Sequence, residues 1–181
     1  MASVIVAGRV SFPSLFTTAV IDGVDSGKYG LSLMIPKGET VMISQIEAAE
    51  KEACQKFFKD SIPKNFRRAL IDGNEVENRP EYKDHWIIRP KSKTPPEVVD
   101  RMMDAITDPN AIRSGDYVRI SCNFYGYNTK GNAGIASGLG NVQFLKRGDP
   151  LGNQRRAADE FQAIEVEDEN EGGDSVDAFF K

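Results

Sequence analysis

Within DYVRISCNFYGY, residues 116–127, Tyr117, Arg119, Ser121, Asn123, Tyr125 and Tyr127 take every second position. Val118, Ile120, Cys122 and Phe124 take the alternate ones. A period of two puts the two sets on opposite faces of a strand, the apolar set toward a core. The outward set mixes flat rings with a cation and an amide. Rings stack on bases and cations meet phosphates, so this face suits a single-stranded nucleic acid. A second strand, HWIIRPKSK over residues 85–93, turns Trp86 and Ile88 one way and His85, Ile87, Arg89, Lys91 and Lys93 the other. Lys130 lies in a hairpin loop, and Lys146 with Arg147 ends the last strand. The candidate phosphate contacts are therefore Arg89, Lys91, Lys93, Arg119, Lys130 and Lys146. Tyr117, Tyr125 and Tyr127 are the candidate stacking rings, with Asn123 beside them. Tyrosine is common on strands for propensity alone, and exposed cations are mostly solvated, so the conjunction carries the reading.

Other chemistries find less support. A single histidine and two distant cysteines, Cys54 and Cys122, leave little from which to build a zinc site or a Ser/His or Cys/His centre. The glycine run GNAGIASGLGN lacks the GxxxxGK[ST] spacing of a phosphate loop. Asp22 with Asp25, and Asp72 with Glu75, read as turn residues, which places a metal-dependent nuclease last among the readings. No cofactor and no small-molecule substrate are implied. No apolar run approaches the roughly 18 residues of a membrane helix, and MASVIVAGRV has no basic n-region or long apolar h-region.

The net charge of −4 conceals an asymmetry. Residues 159–181 carry nine acids and one base, whereas residues 1–158 hold 22 Lys and Arg against 18 Asp and Glu. A mildly basic body with an acidic tail suggests a polyanion partner, a recruiting tail, or both. The tail is predicted to be disordered, being acidic and poor in large apolar groups until DSVDAFFK. Phe179 and Phe180 at its end are candidate anchors for a partner's pocket. The tail could equally occupy the body's own basic groove.

These groups need a scaffold. VIVAGRVSF, residues 4–12, reads as a first strand, and residues 13–27 as a loop. In YGLSLMI, Tyr29, Leu31, Leu33 and Ile35 alternate with Gly30, Ser32 and Met34 as in a half-buried strand. Met42, Ile46, Ala49, Ala53 and Phe57 recur at helical spacing over residues 41–58, with Glu47, Glu50, Lys51 and Glu52 facing water. Residues 59–84 read as a long loop. Thr94-Pro95-Pro96-Glu97 predicts the start of a short helix with Val98, Val99, Met102, Met103 and Ile106 on its apolar side. Asn128–Asn132 forms a hairpin loop, followed by a glycine-rich strand AGIASGLG and a last strand NVQFLKR. Gly126, Gly134, Gly138 and Gly140 read as bend points. The sum is a mainly β protein, a small closed or nearly closed barrel with one or two inserted helices over residues 1–158, then the acidic tail.

The stretches GRVSFPSLF, YGLSLMIPK, KSKTPPEVVD, SGDYVRISCNFYGYN and KGNAGIASGLGNVQFLKRGDPLG resemble phage-encoded single-stranded DNA-binding proteins. The resemblance covers about residues 8–152. It implies an OB-fold that coats single-stranded DNA during phage replication or recombination, in the cytoplasm of the infected host, without enzymatic activity. It also implies that the acidic tail engages replication or recombination proteins. Lys181 follows Phe180, however, so the aromatic residue is not terminal here. The resemblance leaves two alternatives: a strand-annealing recombination protein, and a phage structural or adaptor protein that ignores DNA.

Overall fold

The computed structural model describes residues 3–151 and 161–164. Four long strands and one helix carry the architecture: β1 (Val4–Ser14), β4 (Tyr29–Pro36), α1 (Thr40–Phe58), β10 (Tyr117–Thr129) and β11 (Asn132–Lys146). Short strands fill the connections: β2 (Val20–Ile21), β3 (Val24–Asp25), β5 (Phe66–Arg67), β6 (Ile71–Asp72), β7 (His85–Ile88), β8 (Lys91–Ser92) and β9 (Val98–Val99). β1 pairs antiparallel with both β4 and β10, β10 with β11, and β4 with β7 and β8. β8 meets β11 in parallel at Lys91 and Gly138. The path β1–β10–β11–β8–β4–β1 is a closed ring, and closure leaves the barrel no free edge. With a parallel seam between the short β8 and the last strand, β11, this is an OB-like barrel.

β-branched and other large apolar residues on the inward face make the core. Val6 and Val10 of β1, Leu33 and Ile35 of β4, and Val118 and Ile120 of β10 are each at most 1% exposed. α1 lies against β10, and Ile43, Ile46, Ala53 and Phe58 are its apolar residues that sink into the core. Phe57, read from the spacing as core-facing, is half exposed. Glu50, read as facing water, is buried. The reason is a polar anchor: its carboxylate accepts from Arg68 Nη2 at 2.7 Å, from Arg68 Nε at 3.2 Å and from the Leu70 N–H at 2.9 Å.

Other expectations change too. No helix follows Pro95–Pro96. Val98 and Val99 instead pair in parallel with Val142 and Gln143, on the stretch of β11 that β8 does not reach. The Asp100 carboxylate then accepts from the N–H groups of Met102 and Asp104, which reverses the chain. Met102 and Met103 consequently face water. Residues 59–84 are not an irregular loop but carry β5, β6 and two single 3₁₀ turns. Fully buried Tyr82 donates to Ser11 Oγ at 2.9 Å and packs with Met34 and Ile87 in a second small core. That core buries Ile87, expected outward, and makes β4 buried on both faces rather than one.

The strand expected over 85–93 is interrupted at Arg89-Pro90, where proline offers no N–H to the ladder. The two last strands are one 15-residue strand, β11, with a register shift opposite Ser121. There the Asn141 N–H bonds to Ser121 Oγ at 2.8 Å, and the bulge supplies the bend that closure needs. Residues 13–27 contain the β2–β3 hairpin, turned by Asp22-Gly23, both at positive φ.

Candidate nucleic-acid interface

The strand order places β8 and β10 on either side of β11, so the two segments singled out by pattern face a common groove. Its walls include Arg89, Lys91, Tyr125 and Tyr127, together with Lys28 and Arg68, and its volume is about 470 Å³. A second cleft of about 390 Å³ continues from it, sharing Lys28, Arg89 and Lys91 and running past Tyr29 toward the β2–β3 hairpin. Among the described residues no carboxylate lines either part. The charged lining of both parts is cationic although the chain is acidic overall.

Each side chain has a structural reason for its place. Tyr125 and Tyr127 stand opposite Ala136 and Gly134 across the β10–β11 ladder, and Asn123 opposite Gly138. Small partners leave the Tyr125 ring uncovered, at 39% exposed, and Tyr127 half-buried. The glycine-rich stretch of β11 thus acts as a low floor beneath the tyrosines. It also allows close approach, since a side chain at Gly134 would collide with the Arg67 carbonyl. Only Gly140, beside the bulge, matches the bend-point reading.

Lys91 sits on the barrel's closing seam, paired with Gly30 on one side and Gly138 on the other. Its backbone is fixed on both edges while no Cβ crowds its stem from those partners. Arg89 precedes the proline break and is exposed. Lys28 follows a turn pinned by Asp25, whose carboxylate accepts from Thr18 Oγ1 at 2.6 Å and from the Gly27 N–H at 2.9 Å. Those two bonds hold the Asp25 carboxyl below its ordinary range. Among the described residues, Lys28, Arg89 and Lys91 form no ion pair, whereas Arg68 is committed to Glu50 and Glu47.

The remaining candidates are spread more widely. Lys130 occupies the tip of the two-residue β10–β11 turn at φ 47°, and Lys93 lies exposed just past β8. Tyr117 begins β10, and eight residues at ~3.3 Å each separate it from Tyr125 by roughly 26 Å. Lys146 stacks on the Tyr117 ring at 4.7 Å, with Arg9 on the same ring at 5.8 Å. Arg119 is hydrogen-bonded to Gln143. The structure therefore assembles Arg89, Lys91, Tyr125 and Tyr127 with Asn123 beside them. It sets Tyr117, Arg119 and Lys146 in a separate patch. Phe179 and Phe180 lie outside the described residues. Lys28, Tyr29 and Arg68 were missed by pattern reading: Lys28 stood in an apparent loop, Tyr29 counted with an apolar face, and Arg68 fell in the segment read as irregular.

The model of the Enterobacter phage Enc34 single-stranded DNA-binding protein family matches residues 2–171. The chain belongs to this family. A curated relative, putative protein p50 of Acyrthosiphon pisum secondary endosymbiont phage 1, is 30% identical over 90% of this chain and 94% of its own length. The fold is that of the bacteriophage Enc34 single-stranded DNA-binding protein solved in complex with single-stranded DNA. That match has a TM-score of 0.73 at 20% identity and covers 83% of this chain and 89% of the other. It is also similar to gp2.5, a single-stranded DNA-binding protein encoded by bacteriophage T7. There the TM-score is 0.60 at 14% identity, over 91% of this chain and 99% of that one. The barrel is thus shared at 20% and 14% identity. No helix among the described residues is long and apolar enough to cross a membrane.

Proposed function

We propose that this chain binds single-stranded DNA without strong sequence preference, in phage DNA replication and recombination within the infected host. The observation that carries the reading is the acid-free groove in which Tyr125 and Tyr127 face the unpaired cations Lys28, Arg89 and Lys91. Stacking on rings accepts any base, and phosphates present the same charge at every nucleotide, so such a groove follows the backbone rather than a sequence. Lys93 and Lys130 extend the basic flank, and Asn123 lies beside the tyrosines. Tyr117 and Arg119 near the start of β10 and Lys146 at the end of β11, set apart from the groove, serve a longer strand that continues past it. Family membership and the solved complex of a related fold support the same assignment.

Residues 1–158 form the binding body, and residues 159–181 are an acidic segment that engages replication or recombination proteins through Phe179 and Phe180. The segment carries a balance of −8 against +4 for the body, so it also competes for the groove at low salt. The test is a titration of fluorescent oligo-dT, and of a duplex of equal length, at two salt concentrations. Tight, salt-sensitive binding to the single strand with weak duplex binding supports the assignment. Equal binding to both, or none, overturns it. A chain ending at residue 158 binds more tightly at low salt if the acidic segment competes.

A further inference from the structure

Phe12 sits badly as a core residue of β1. Its ring is 56% exposed, and its backbone lies in the left-handed region at φ 51°. A bulky residue there is an outlier with a conformational cost, and exposure recovers little from burying the ring. A glycine or asparagine would satisfy the same backbone more cheaply. The strain is built in. The β1–β4 register shifts between Ser11 and Ser14, and the Phe12 N–H is tied to Ser114 Oγ at 3.0 Å. Bulges of this kind re-aim a side chain.

Phe12 lines the cleft that continues from the tyrosine groove, with Lys28, Arg89 and Lys91, and also borders a neighbouring cleft with Arg113, Asp116 and Arg147. Arg79 lies over it, its guanidinium carbon 4.6 Å from the ring centre. That cation is positioned from a distance: Tyr82, three residues on, is locked to Ser11 through its hydroxyl, so the segment bearing Arg79 is anchored one residue from Phe12. An exposed ring, a stacked cation and a strained backbone thus meet at Phe12, on one wall of the cleft.

We propose that Phe12 is a further base-stacking platform, at the end of the groove away from Tyr125 and Tyr127, with Arg79 meeting the adjoining phosphate. The proposal rests on the single-stranded DNA reading and extends the bound strand across the β8–β4 side of the barrel. It is tested with the full chain by oligo-dT titration and thermal unfolding of Phe12→Gly, Phe12→Tyr and Tyr125→Ala. Phe12→Gly is expected to weaken binding about tenfold while its Tm holds or rises, because glycine relieves the strained φ. Phe12→Tyr keeps a ring and should bind like the parent chain. Full affinity of Phe12→Gly beside a weakened Tyr125→Ala overturns the proposal and leaves the groove reading intact. Affinity and Tm falling together in Phe12→Gly also overturns it, since the ring is then packing. If neither variant weakens binding, the groove reading itself fails.

Discussion

Cations around the groove differ in one measurable respect, and replacing Lys28, Arg89 and Lys91 together by alanine separates them. Each neutralised phosphate of a single strand contributes about 0.7 to the slope of log affinity against log salt. These three side chains have no carboxylate partner among the described residues, so each is free to replace counterions on DNA. The triple variant should therefore lose about 2 units of slope. Between 50 and 200 mM salt the parent chain would lose about 20-fold more affinity than the variant. Arg68 lines the same groove but is held by Glu50 at 2.7 Å and stands 3.6 Å from Glu47. Its charge is already balanced, so Arg68→Ala should leave the slope nearly unchanged while lowering stability. The assay is anisotropy of labelled oligo-dT over a salt series, with unfolding curves for each variant. An unchanged slope in the triple variant, or an Arg68→Ala slope as flat as the triple's, would refute the reasoning.

Two further outcomes concern the scaffold. Glu50→Ala strips the buried Leu70 N–H of its acceptor and releases Arg68, which rehydrates because it is partly exposed; the loss should be about 2 kcal/mol. Thermal unfolding should register it as about 4–8 °C in Tm, and an unchanged Tm would mean that residues 66–72 are held by other contacts. Burial pushes the Cys122 thiol up from 9.0 to about 12, so at pH 8 it is uncharged and shielded in the folded chain. A thiol reagent should leave Cys122 unmodified until denaturant is added, as followed by peptide mass spectrometry. Because the folded thiol holds its proton more tightly, this contribution to stability is complete below about pH 9 and declines as pH rises toward 12.

Where one side chain's environment is set by its own strand, the sequence could be read directly. The alternation in 117–127 separates Val118, Ile120, Cys122 and Phe124 from Tyr125 and Tyr127, and both sets lie where the period puts them. α1 was legible for the same reason, in its span and in Ile46 and Ala53 of its buried face, with Met42 and Ala49 packed against the core, but not at Glu50 and Phe57. Glu50 is buried because of Arg68 and Leu70, eighteen and twenty residues away, and no local pattern announces a distant cation. Val98 and Val99 fail as a helix because β8 meets β11 only at Gly138, and the stretch of β11 beyond it, Val142 and Gln143, takes them as a strand. Tertiary pairing overrides propensity at such places.

The glycines of β11 show how the two kinds of information combine at the site. Their spacing suggests curvature, yet Gly134 and Gly138 matter for what stands opposite them, Tyr127 and Asn123. Only the register turns a glycine-rich strand into the floor of a groove. The same register seats Lys91 against Gly138, bringing a cation from one segment beside the aromatic face of another. Neither segment contains that juxtaposition. It exists because a parallel seam closes the barrel, so a change that slips the β8–β11 pairing by one residue would scatter the site while sparing most of the core.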